Sequence, residues 1–179
     1  MAQAMNLGAG VRAQRKTLIT VAEWTPAAGQ TAVREILGAR TEDSSIEFNP
    51  DIQTSTDILG KTYTDVNKTE PQQTFDPFYL LGGSALGEYL VNAALENNID
   101  AYNGTFNIYV IAAFISESSG TPATTSYKAV KHTGCSIIPT SLGGDSYNSM
   151  PIEVHYSNEI TKGSVNKLSD DFEFTPDQA

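Results

Sequence analysis

Long apolar runs are missing from this chain of 179 residues. No stretch approaches the ~18 consecutive apolar residues that a membrane-spanning helix needs. The opening MAQAMNLGAGVRAQRK lacks the continuous apolar segment of a secretory signal, so neither membrane insertion nor export is expected. Without export, the glycosylation-type triplets Asn67-Lys68-Thr69 and Asn103-Gly104-Thr105 read as chance. Cysteine occurs once, at Cys135, which excludes an internal disulfide and suits a reducing cytoplasm. Histidine occurs twice. His132, His155 and Cys135 form no CxxC or HExxH spacing, so no metal site is expected and the histidines read as sheet-face residues. Tryptophan also occurs once; Trp24, beside Thr25-Pro26, looks like a strand-end anchor rather than the aromatic platform of a carbohydrate-binding module.

Catalytic signatures are equally sparse. Gly82-Gly83-Ser84-Ala85-Leu86 lacks the glycine that completes a G-x-S-x-G nucleophile turn, and Ser84 is better explained as a helix cap. No base is indicated for Cys135 as a nucleophile. Asp170 and Asp171 alternate along an extended segment and do not converge. Gly143-Gly144 has neither the lysine nor the following helix of a phosphate loop. The expectation is a protein without catalytic residues and without a cofactor.

Arginine is absent after residue 40, and this asymmetry says more than the net charge of −10. The first 40 residues carry Arg12, Arg15, Lys16, Arg34 and Arg40 against Glu23 and Glu35, while the remainder sets six lysines against nineteen acids. A uniformly solvated acidic surface is one reading. The other is a basic face of one copy meeting an acidic face of the next, as head-to-tail stacking requires. Specific nucleic-acid binding is disfavoured, because most of the chain would repel phosphate.

What is present is a succession of short extended segments and one helix. Residues 1–16 have no periodicity and read as an arm, leaving 17–179 as one domain. Strands are expected at 17–23, 45–49, 105–116, 126–138, 151–156 and 170–174; residues 31–37 suit either a short helix or a strand. Loops are expected at 40–45, 118–122 and 139–148. The helix is expected over about 84–97 (SALGEYLVNAALEN), capped by Ser84, ended by Asn97-Asn98, with Leu86 and Leu90 on its apolar face. In 105–116, Phe106, Ile108, Val110 and Phe114 alternate with Tyr109, Ile111 and Ile115. A strand apolar on both faces belongs at the centre of a covered sheet, and the helix is the expected cover. The fold class is mainly β: a sandwich or barrel-like sheet with one flanking helix.

The most informative stretch is 57–77, DILGKTYTDVNKTEPQQTFDP. Thr and Tyr favour strands, and a tight polar break is expected at Asp65-Val66-Asn67-Lys68. Within a polar loop and hairpin spanning about 38–76, neither segment has a dense apolar face. Such a hairpin is expected to lie against solvent, a lumen or a neighbouring subunit, which suits an assembly part better than an enzyme.

The runs DILGKTYTDV (57–66) and KTEPQQTFDP (68–77), followed by a helix and then the 106–115 strand, resemble the major tail protein of long non-contractile bacteriophage tails. The resemblance covers about residues 40–175 and implies a tail-tube β fold shared with contractile-tail tubes and the type VI secretion tube. It implies a homo-oligomer of six copies closing into rings, the rings stacking into a tube through which DNA passes without specific binding. Tape measure, tail terminator and distal tail proteins are the implied partners. The implied location is the virion tail, after assembly in the host bacterial cytoplasm. A long loop and terminal arms bridge rings in that family. Here the arm with Arg12, Arg15 and Lys16 and the 38–56 loop are the candidates. Glu47, Asp57, Asp65, Glu70 and Glu153 are the strand-borne acids this reading aims at the lumen, where carboxylates repel phosphate. The alternatives are another tail-type component of the same fold, such as a type VI-like tube, terminator or connector, and a carbohydrate-binding β-sandwich.

Overall fold

The computed structural model describes residues 4–41, 44–119 and 124–177. Residues 1–3 of the expected arm, 42–43 and 120–122 of two expected loops, and 178–179 of the expected domain lie outside the described residues. In chain order the strands are β1 (Ala4–Met5), β2 (Leu18–Trp24), β3 (Val33–Ile36), β4 (Ile46–Glu47), β5 (Pro50–Thr56), β6 (Thr62–Thr69) and β7 (Gln72–Phe75). After the helix α1 (Ala85–Leu95) come β8 (Phe106–Ser119), β9 (Thr124–Pro139), β10 (Ile152–His155), β11 (Ile160–Val165) and β12 (Phe174–Pro176). The protein is mainly β with one α-helix among the described residues.

A ten-stranded sheet runs β3-β2-β8-β9-β10-β7-β4, with β1 on β8 and β11 and β12 continuing from β9; β5 and β6 form a separate ribbon. Every pairing is antiparallel. The architecture turns on β9. One edge of its first half pairs β11, from Tyr127 to His132, and the same edge of its second half pairs β10, from Ser136 to Pro139. Between them Gly134 sits at φ +75°, where the register against β8 slips by one residue. Such a bulge bends a strand and needs a residue tolerant of the left-handed region, so Gly134 is where the sheet turns from one half to the other.

The core lies on both sides of β8. One cluster joins Phe106 and Ile108 to Trp24, Phe75, Leu86, Leu90, Ile137 and Ile152. The other joins Tyr109 and Ile111 to Val21, Ala129, Val165 and Phe172. The two-sided apolar pattern of 105–116 is thus satisfied by the helix and the β10–β7 half on one face, and by the C-terminal segment on the other. Leu86 and Leu90 are fully buried, as the helical spacing predicts. The Ser84 Oγ accepts from the Gly87 N–H at 3.0 Å. The cap is reinforced from outside the helix: Glu35 on β3 accepts from the Ser84 hydroxyl at 2.6 Å and from the Leu86 N–H at 2.9 Å, placing a carboxylate at the positive end of the helix dipole.

Two buried polar groups also tie distant segments together. The Gln73 amide oxygen accepts from Tyr156 at 2.6 Å and Thr20 at 3.0 Å, and its nitrogen donates to the Ser44 hydroxyl at 3.0 Å. Glu23, 8% exposed, accepts from the Arg34 Nε at 2.6 Å, Asn107 at 2.9 Å and the Tyr109 hydroxyl at 3.2 Å. Burial alone would push the Glu23 carboxyl up, but the Asn107 bond, the bond and charge of Arg34 and the charge of Lys131 together hold it below the ordinary value. Arg34 also stacks on Phe172, 4.5 Å from the ring centre, and donates to its carbonyl at 2.6 Å. This clasp seats the C-terminal segment against Tyr109.

Several expectations are corrected. The hairpin turns at residues 57–61, not at Asp65-Val66-Asn67-Lys68, which lie within β6. Gly60, at φ +78°, supplies the left-handed residue, and the Asp57 carboxylate accepts from the N–H groups of Leu59 and Lys61, both at 2.9 Å. The 65–68 segment has no glycine and contains Val66, which pairs with Ile52. Residues 31–37 yield a strand, β3. The last strand lies at Phe174–Pro176, later than expected, and Phe172 just before it is buried. β11, unforeseen, carries Gly163 where a Cβ would collide with the Thr175 carbonyl and the Phe174 ring, so the β11–β12 contact requires glycine there. Part of the arm is also paired: β1 joins β8 at Ile115 and Ser116.

Candidate functional site

Two surfaces stand out by what the rest of the chain leaves uncovered. The first is the β5–β6 ribbon. Its ladder runs from Thr56↔Thr62 to Ile52↔Val66, slips at a bulge, and closes at Pro50↔Thr69. Apart from the half-buried Asp57, residues 50–70 are all exposed. Paired residues share a face, so Ile52, Thr54 and Thr56 stand with Val66, Thr64 and Thr62 on one side, while Gln53 and Ser55 stand with Asp65 and Tyr63 on the other. One side is β-branched and weakly apolar, the other polar. Ile58 and Leu59 occupy the turn, 102% and 87% exposed.

The second surface is the outer face of the β9–β10–β7–β4 half. The registers Glu153↔Thr74, His155↔Gln72 and Glu47↔Gln72 put Glu47, Gln72, Thr74, Glu153 and His155 on one face, opposite the buried Ile152, Val154, Gln73 and Phe75. The Gln72 amide reaches Glu47 at 3.5 Å, and His155 Nε2 lies 3.4 Å from Glu153. Ser136 and Ile138 extend the face across β9. This is a polar, acid-bearing wall.

The five acids singled out in the sequence therefore part company. Glu47 and Glu153 share the sheet wall. Asp65 lies on the polar side of the ribbon, and Glu70 is ion-paired with Lys68 near its root. Asp57 builds the turn through its own carboxylate. Of the three basic arm residues, Arg15 is engaged within the chain: Nε donates to the Ser44 carbonyl at 2.9 Å and Nη1 to the Leu18 carbonyl at 2.7 Å. Arg12 and Lys16 are exposed beside it.

The residues that chemistry would draw on have structural employment. Cys135 is fully buried, its thiol pushed up by burial. His132 Nδ1 lies 3.0 Å from the Ser157 carbonyl, with its ring edge-on to Tyr156. Ser84 is the helix cap. Among the described residues no group of three or more His, Cys, Asp or Glu is placed to hold a metal ion, and no helix is long and apolar enough to cross a membrane. Sequence reasoning missed the Glu23–Arg34–Phe172 clasp. Its only sequence signal was the charge of Glu23 at the end of the alternating 17–23 strand.

No family model matches the chain, and no curated protein matches it. Among solved structures, the cryo-EM structure of the anti-feeding prophage cap, described as a tube terminating cap, is similar with a TM-score of 0.45 and 14% sequence identity. The match covers 87% of this chain and 95% of that one. A score and identity this low do not establish a common fold.

Proposed function

We propose that this protein is a self-assembling structural subunit of a phage-type tail tube, closing into hexameric rings that stack into a conduit for DNA. The observation that carries the reading is the ribbon of residues 50–69, which among the described residues pairs with no other strand. A two-stranded hairpin exposed on both faces is at best marginally stable in water, and its open edges invite pairing with another chain. A neighbouring copy that covers the ribbon removes both liabilities. The wall bearing Glu47 and Glu153 suits the lumen of such a tube, since carboxylates repel phosphate and offer none of the counterion-release gain that lysine and arginine supply. Asp65 and Glu70 extend the same sign of charge along the ribbon. In this role the protein works without a cofactor, meets tape measure and terminator proteins at the ends of the tube, and resides in the virion tail.

Negative-stain electron microscopy of the purified protein over a concentration series tests the reading. Open tubes of stacked rings are expected. Isolated rings that never stack would point instead to a terminator or connector, and a strictly monomeric protein at high concentration would overturn the proposal.

A further inference from the structure

The apolar tip of the ribbon has a counterpart on the same chain. Near the ribbon's root an open cleft of ≈ 380 Å³ is floored by Leu18, Ile46, Phe48, Val110 and Val130, with Arg15 on its wall. Val110 and Val130 face each other across β8 and β9, so the floor is rigid sheet rather than loop. The tip offers two aliphatic side chains fully exposed to water, and the cleft has the size and lining to take them. Within one copy they cannot meet. Phe48 sits two residues before β5, whose seven residues rise about 3.3 Å each, so the ladder holds the tip roughly 20 Å from its own cleft.

Charge favours the same match. The ribbon and its root carry Asp51, Asp57, Asp65 and Glu70 against Lys61 and Lys68. Of the basic arm residues Arg15 lines the cleft, and no acid occurs in the chain before Glu23. An acidic ribbon with an apolar tip thus fits an apolar cleft walled by Arg15.

We propose that Ile58 and Leu59 of one copy seat in the Leu18–Ile46–Phe48–Val110–Val130 cleft of the next copy. This rests on the self-assembly reading above and specifies its contact. Each copy donates a tip and offers a cleft, so the interface is head-to-tail and propagates until a ring closes or a stack ends.

Two measurements test it. Ile58→Asp/Leu59→Asp alters only the exposed turn, so its melting temperature should match that of the unaltered protein. The concentration needed for assembly should rise at least tenfold. Separately, proteins carrying Leu59→Cys or Phe48→Cys are mixed under assembling conditions with a short bismaleimide. Buried Cys135 leaves the introduced thiols as the reactive ones. Crosslinked pairs are expected in the mixture and not in either protein alone. Normal assembly by the double aspartate variant, or assembled particles without the mixed crosslink, would overturn the docking while leaving the assembly reading intact. Failure of the unaltered protein to assemble at any concentration would overturn both.

Discussion

The chain contains two long antiparallel ribbons of similar backbone geometry and opposite fate. β8 and β9 are covered on both faces, with Phe106 and Ile108 in one cluster and Tyr109 and Ile111 in the other. β5 and β6 are covered on neither. The difference lies in side chains and in what reaches them. β8 alternates two apolar sets, and the helix and the C-terminal segment arrive to bury both. The β5–β6 ribbon alternates a Thr/Ile/Val side with an Asp/Gln/Tyr side, and among the described residues nothing buries either. One ribbon places side chains in both core clusters; the other buries none.

The largest expected contrast comes from comparing apolar truncations in the two regions. Leu90→Ala removes a fully buried side chain from the cluster that covers Phe106 and should destabilise by about 2–5 kcal/mol through lost burial and the cavity left behind. Ile58→Ala removes nearly as much apolar surface from the ribbon tip and should change monomer stability by no more than ~0.5 kcal/mol. Denaturant unfolding of both variants checks the pair. Equal effects would mean that the tip packs within its own chain.

A smaller effect probes the clasp on the other face of β8. Arg34→Ala leaves Glu23 with Asn107 and Tyr109 but without its nearest cation, and frees the Phe172 carbonyl. Because the pair is partly solvated, the loss should be roughly 1–3 kcal/mol, below that of a fully buried ion pair. The Glu23 pKa is lowered on folding, so its contribution is present above the unfolded value of roughly 4.3 and is lost as pH falls through the lower folded value. Melting temperatures measured from neutral pH down to about pH 3 should fall more steeply for the unaltered protein than for Arg34→Ala below that value. Parallel curves would remove Glu23 from the account.

A small effect on the monomer is also expected from a large deletion. Pro50 and Thr69 face each other at the ribbon's root, so residues 51–68 can be replaced by a two-residue Asn-Gly turn. The melting temperature should move by only a few degrees, while rings and tubes disappear. A large drop in melting temperature would show that the ribbon stabilises its own subunit, and the contrast between the two regions would fail.

Much of the fold was legible locally. The helix with Ser84 as its cap, the doubly apolar 105–116 strand and the inward Ile152, Val154 and Tyr156 follow from periodicity and propensity; the expected polar hairpin is exposed only over 50–69, because Gln72–Phe75 joins the main sheet and buries Gln73 and Phe75. The hairpin turn was misplaced because Asp65 and Asn67 look like turn residues by composition. The turn that forms depends on a left-handed Gly60 and on Asp57 bonding two following amides. β11 was missed because Ile160, Lys162 and Ser164 show no apolar alternation, and it is paired by β9 and β12 rather than by any pattern of its own.

The division follows from the range of the forces involved. Side-chain periodicity, capping and charge balance act over a few residues, so the amino-acid sequence by itself determined that this is a mainly β chain with one helix, a two-sided central strand and a hairpin unfit for a core. Which acids share a face depends on strand register, which is set by partners far along the chain. Only the tertiary structure put Glu47 and Glu153 on one face across β7 and clasped Arg34 onto Phe172 across 138 residues. Only the tertiary structure, too, opened an apolar cleft at the root of the ribbon, because its floor is assembled from four separate stretches of chain that no local pattern connects.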